Sequence, residues 1–211
     1  EAAVRLAGSG LGTRRDLVDA LLHRAVCFLG LADSAAAARD LDAARRASES
    51  VRGVHRPFED GLLGAAHTQL LMLRGDFAGG TVTSELATLT FERGAHEVRA
   101  AAARLLAARC LSRTDRTLAD GLAERSEAFA AERGIVGLEA EALLLRAVIA
   151  TDATRIERAA RLASKYGSAW LLAGVERARK TIFEALGDRA GAARAHQEFL
   201  THVAISSADA D

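Results

Sequence analysis

Six histidines and two cysteines are the residues whose types could do chemistry in this chain. Two imidazoles one turn apart on a helix can hold a zinc ion, and a thiol beside a base can act as a nucleophile. The spacing supports neither. His196 and His202 are six apart, about 600 degrees of helical rotation, so they fall on different faces. His23 and His67 take similar places on two helical stretches and are expected at the surface or an edge. Cys27 and Cys110 lie in apolar helical stretches with nothing clearly placed to activate them, and buried core thiols are the expectation. There is no GxxxxGK phosphate loop, HExxH helix, GxSxG elbow or CxxC pair. Ser9-Gly10-Leu11-Gly12 is glycine-rich but lacks the lysine and strand of a phosphate cradle, and reads as a linker. The expectation is a protein with no catalytic residues, no cofactor and no metal.

The elements that would position any site are helices. The 211 residues include 48 alanines, 26 arginines against 2 lysines, and one proline, Pro57. Ala, Leu, Arg and Glu favour helix, and the β-branched and aromatic residues that favour strands are scarce. The 28 acidic residues cancel the 28 basic ones. That balance argues against a nucleic-acid partner, which a basic face would announce. Arg14-Arg15 and Arg45-Arg46 have acidic neighbours in Asp16, Asp42 and Glu49, and read as solvated helix faces. The longest stretches without charge, such as Gly167 to Val175, fall far below the ~20 residues of a membrane span. Glu1 to Gly12 has no basic start followed by an apolar run, so no signal peptide is expected. The missing initiator Met points to a fragment or a processed chain. Two cysteines are too few for a disulfide framework, and a cytoplasmic setting is expected.

Self-similarity is the next test for such a chain. Asp33, Asp76, Asp115, Asp152 and Asp188 recur at intervals of 43, 39, 37 and 36 residues, in the turns LADS, RGDF, RTDR, ATDA and LGDR. Each follows an apolar helical segment and precedes an alanine-rich one, where a carboxylate can accept from the open amides of the next helix. The predicted helices are Asp16–Gly30, Ala35–Val51, Phe58–Arg74, Thr81–Arg93, Ala95–Ser112, Thr117–Arg133, Gly137–Ala150, Thr154–Tyr166, Ala169–Leu186 and Ala190–Val203. Thr13 and Asp16 form a weak capping box, and Gly94, Gly134 and Gly167 are expected as left-handed C-caps. Met72 and the seven phenylalanines follow core spacing.

The five helix pairs resemble tetratricopeptide (TPR) repeats, in which a small residue on the first helix packs against two small positions on the second. Those places hold Ala25, Ala37 and Ala44 in the first unit, with Leu21, Phe28 and Leu41 as larger packing residues. In the third they hold Ala107, Ala119 and Ser126, with Ala123 between the last two. The family's turn is clearest in Gly75-Asp76-Phe77, followed by Gly80 and Ala87, and again in Leu186-Gly187-Asp188, followed by Ala192. Small residues let helix axes approach. The family's early Trp and late Pro are missing, Lys180 stands at a small position, and Leu144 and Ile156 occupy two others. The resemblance, which is to divergent arrays in large bacterial signalling and transcription regulators, implies an all-α fold. It would be an α-solenoid of about five antiparallel helix hairpins in a right-handed superhelix. A plain helical bundle or another helix-pair solenoid is the alternative. Residues 1–12 would be the end of a preceding helix and a linker, and 204–211 a disordered tail. The repeat domain would span 13–203, in units 13–55, 56–94, 95–134, 135–167 and 168–203.

In such a superhelix the first helices line the concave side. The family's inward positions map to Leu22 and Val26, Ala65 and Gln69, Arg104 and Ala108, Glu141 and Leu145, and Arg177 and Thr181. Arg104 and Arg177 could hold a peptide carboxylate, or Arg104 and Glu141 could pair with each other. The functional expectation is a non-enzymatic scaffold that binds a protein or peptide segment, another domain of the same chain, or a second copy. The alternative is a sensor that closes on a small effector and transmits the change to an output domain.

Overall fold

The computed structural model describes residues 14–49 and 56–208. The expected preceding helix and linker, Thr13 of the capping box, Val51 and the last three residues of the tail lie outside them. Ten helices and no strand form among the described residues: α1 (Arg14–Gly30), α2 (Ser34–Ser48), α3 (Arg56–Leu73), α4 (Phe77–Arg93), α5 (Glu97–Leu111), α6 (Arg116–Arg133), α7 (Val136–Ala150), α8 (Ala153–Tyr166), α9 (Ala169–Ala185) and α10 (Arg189–Ala208). No described helix is long and apolar enough to cross a membrane. The chain divides into two compact units, Glu1–Thr114 and Asp115–Asp211, and the division falls within the stretch 95–134 expected as the third repeat.

All five spaced aspartates cap helices. Asp33, Asp76, Asp115 and Asp188 each accept from the amide three residues on, at 2.9, 2.9, 3.0 and 2.8 Å. Asp152 accepts from Thr154 at 2.8 Å and, more weakly, from Arg155. Four of these turns share a second device. The residue before the aspartate is left-handed, as Ala32 (φ 57), Gly75 (78), Thr151 (55) and Gly187 (75). The aspartate's own amide then donates back to a carbonyl five residues earlier, on Phe28, Leu71, Ala147 and Phe183, each at 2.9 Å. This closes the end of the preceding helix as a Schellman-type cap. The Asp115 turn instead tightens through Thr114 N to Leu111 O at 2.9 Å, and has no left-handed residue.

Gly134 (φ 67) and Gly167 (φ 70) are left-handed C-caps as expected. Gly94 is not: its φ is −85, and the positive φ falls one residue later on Ala95, whose neighbour His96 donates to Phe91 O at 2.8 Å. Helix α4 begins at Phe77 rather than Thr81, because the Asp76 cap acts on Gly79 and takes both glycines into the helix. Helix α10 runs five residues past its expected end, to Ala208, into the stretch expected as tail.

In the first unit each helix packs on the next, and α1 also touches α3, as α3 touches α5. Ala25, Ala37 and Ala44 are wholly buried among Leu21, Leu41 and Leu70. Around α3 and α4 the approach is closer still. A Cβ on Gly61 would lie 2.6 Å from the Phe91 ring, one on Gly64 3.1 Å from Ala87 Cβ, and one on Gly80 2.8 Å from Cys110 Sγ. Phe91 is the one phenylalanine fully buried; the other six, like Met72, are half-buried. Its ring meets Phe58 and His96 edge-on.

The second unit repeats the contact pattern: successive helices pack, and α7 touches α9. Ala119, Ala123 and Ser126 of α6 are buried, as are Ala140, Ala147, Ala159 and Ala163. At the two large exceptions, Ile156 is buried and Leu144 half-buried against the same cluster. Lys180 is half-exposed and lines an open cleft of about 530 Å3 with Arg189 and His196.

Candidate functional site

The five groove residues fall two in the first unit and three in the second. Gln69 is half-buried on α3. Arg104, on α5, keeps 15% of its side chain exposed and donates from Nη2 to Glu92 Oε1 on α4 at 2.9 Å. Glu141 is half-buried on α7, while Arg177 and Thr181 are exposed on α9, where the threonine hydroxyl donates to Arg177 O at 3.0 Å. Among their companions Val26 is exposed and Ala65 and Leu145 half-buried, but Leu22 and Ala108 are core residues at 6% and 0% exposure. Those two cannot line an open surface.

Within the first unit a cleft of about 420 Å3 opens between α2 and α3. Leu41, Leu63 and Leu70 contribute to its apolar lining, and Asp42, Arg45, Asp60, His67 and Arg74 bring charge and hydrogen-bonding capacity. Its size suits a small ligand or a few residues of peptide. Arg45 lies 3.7 Å from Asp42 across one helix turn, leaving both exposed.

The strongest electrostatics lie outside the sequence expectations and face inward. Arg146 of α7 donates to Asp120 through Nε (2.9 Å) and Nη2 (3.2 Å), to Glu124 through Nη2 (2.9 Å) and to Glu127 through Nη1 (2.9 Å). Arg158 of α8 extends the network to Glu127 (3.1 Å) and Glu139 (2.7 Å). The hydrogen bond to Asp120, set against the cost of burial, holds the Arg146 guanidinium protonated well beyond its ordinary range. In the first unit Arg24 grips Asp40 with two hydrogen bonds, 2.6 and 2.7 Å. The sequence signals are a single arginine inside an apolar run, Leu143-Leu144-Leu145-Arg146, and acids at 120, 124 and 127 along one helix face. These guanidinium–carboxylate pairs tie α6, α7 and α8 to one another.

Glu59, in the first turn of α3, has a side chain 1% exposed, and neither oxygen accepts a hydrogen bond among the described residues. Arg15 Nε stands 3.2 Å from Oε1, close enough for charge pairing but poorly aligned for a hydrogen bond.

Among the described residues no cluster of three or more His, Cys, Asp or Glu side chains could hold a metal. His23 and His67 are exposed, as expected. The thiols divide: Cys110 is buried but Cys27 is exposed on α1, contrary to the expectation for both. Cys27 follows Val26 on the outward side, since the core stripe of α1 runs through Leu21, Leu22, Ala25 and Leu29. Burial pushes the Cys110 thiol above its ordinary value of 9.0, more than the nearby Arg109 charge lowers it. A maleimide at neutral pH should therefore modify Cys27 in the native protein and reach Cys110 only when denaturant is added; mass spectrometry of the digested protein reads both sites. Because the native thiol resists ionising, Cys110 contributes stability that is present below pH ~9 and declines above it. No protein-family model, curated protein or solved structure matches this chain.

Proposed function

We propose that the chain is a non-enzymatic interaction module: a TPR-like helical solenoid within a larger bacterial signalling or transcription regulator, which holds a peptide or helix of a protein partner. The observation that carries the reading is the contact between first helices of successive units, α1 with α3, α3 with α5 and α7 with α9, alongside the sequential packing. That pattern, together with the recurring capped turn, is what a stack of helix pairs requires. Inward-facing ion pairs and dispersed histidines fit a scaffold better than a catalyst.

The test is a display library of random dodecapeptides selected on the full chain. Selected peptides should bind wild type, and alanine at Gln69 and Arg104 in the first unit, or at Glu141 and Arg177 in the second, should weaken binding about tenfold, some 1.4 kcal/mol. The melting temperature should change little, apart from the small loss of the partly exposed Arg104–Glu92 pair. Binding undiminished in both variants sinks the groove assignment. The α2–α3 cleft favours a second reading, effector sensing; there, peptide would raise the melting temperature in proportion to the logarithm of its concentration, and substitution of Asp42 and Arg74 would abolish the shift.

A further inference from the structure

Helix α4 has two faces of opposite character. Gly80, Ser84, Ala87 and Phe91 are buried and fall within an arc of about 60 degrees on the helix surface. Diametrically opposite, within a similar arc, lie Val82, Leu86 and Leu89, exposed at 58%, 59% and 49%. The threonines of this helix do not relieve that surface. Thr81, Thr83, Thr88 and Thr90 each turn the hydroxyl back to the carbonyl four residues earlier, at 2.7 to 3.0 Å. Their methyl groups are what remains to present outward.

The stripe carries its own charge complement. Glu85 stands four residues before Leu89 and Arg93 four after it, both exposed, and neither makes an ion pair with another described residue. Glu92, by contrast, is taken by Arg104. When two copies of α4 lie antiparallel about Leu89, Glu85 of one copy is level with Arg93 of the other, twice over. The leucines meet between them. A surface that matches itself under a two-fold reversal is the signature of an isologous contact.

We infer that the exposed face of α4 is a homodimer interface, in which Leu86 and Leu89 of two antiparallel copies pack together, framed by two Glu85–Arg93 ion pairs. About Leu89 the two copies of α4 overlap over residues 85–93, a contact about 13 Å long. That is a small interface, so the dimer is weak and concentration-dependent. It uses none of the groove residues, so the two proposals fail independently.

Sedimentation velocity of the full chain from about 1 to 200 μM should show a concentration-dependent monomer–dimer equilibrium, as expected for an interface of this size. L86E/L89E should remain monomeric at every concentration with unchanged helicity and melting temperature, since both positions face solvent. E85R and R93E should each weaken the dimer about tenfold. The pairing logic gives a control that leaves the leucines intact: an equimolar mixture of E85R and R93E should form a heterodimer tighter than either variant's homodimer, and E85R/R93E in one chain should restore wild-type association. A chain that stays monomeric at the highest concentration, or a dimer indifferent to L86E/L89E, or charge reversals that do not rescue one another, would overturn the inference.

Discussion

Replacing Arg146 with alanine is expected to lower the unfolding free energy of the second unit by about 3 kcal/mol, the lower end of the cost of breaking a buried ion pair. The guanidinium is 10% exposed and bonds three carboxylates of α6, of which Glu127 is 11% exposed, Asp120 32% and Glu124 62%. The exposed members regain water, which is why the loss stays at the lower end. Glu127 does not, and keeps only Arg158 at 3.1 Å. Asp120, Glu124 and Glu127 would then repel one another along a single helix face. Lysine at 146 preserves the charge but cannot fork among three acceptors, so about half the loss should remain. Urea denaturation followed by circular dichroism reads both variants. A loss below about 1 kcal/mol for R146A would mean the network is worth no more than surface pairing.

Two glycine-to-alanine changes should act with opposite signs. At Gly61 the new methyl would stand 2.6 to 2.8 Å from three atoms of the Phe91 ring. That ring is 1% exposed and held edge-on by Phe58 with centroids 6.2 Å apart, so it has nowhere to retreat without disturbing the core. Overpacking of this kind costs about 1 to 3 kcal/mol, against a gain of about 1 kcal/mol in helix propensity, and a net loss of up to about 2 kcal/mol is expected for G61A. Gly121 sits inside α6 with nothing within 4 Å of the place a methyl would take, so G121A should gain up to about 1 kcal/mol. The cause can be isolated with F91L. Shortening the ring should make G61A less costly, so the double variant should be more stable than the sum of the singles predicts. Additive losses would place the damage elsewhere.

Legible in the sequence is what local chemistry decides. An aspartate ahead of an alanine-rich stretch finds the same open amides wherever it occurs, so Asp33, Asp76, Asp115, Asp152 and Asp188 can be read as caps from spacing alone. Helical periodicity locates α1 to α10 to within a few residues for the same reason. Choices between neighbouring residues are less accessible. Gly94 has the freedom to turn left-handed, yet the bond from His96 to Phe91 O puts that conformation on Ala95. Pairings across helices are least legible. Arg104 fits a groove position by sequence, but Glu92 one helix earlier is within reach at 2.9 Å. Arg146 sits in so apolar a run that only the three acids of α6, 19 to 26 residues away in sequence, explain it.

The turns set a rule for how such a chain can change over generations. Four of the five aspartate turns are closed by main-chain atoms and one carboxylate, and two of those four use alanine or threonine in a conformation usually left to glycine. Reversal of the chain is thus specified by two adjacent residues and is nearly indifferent to the identity of the helices on either side. A change on a helix surface therefore leaves the turn in place, and the grammar of the turn keeps each helix starting where it did.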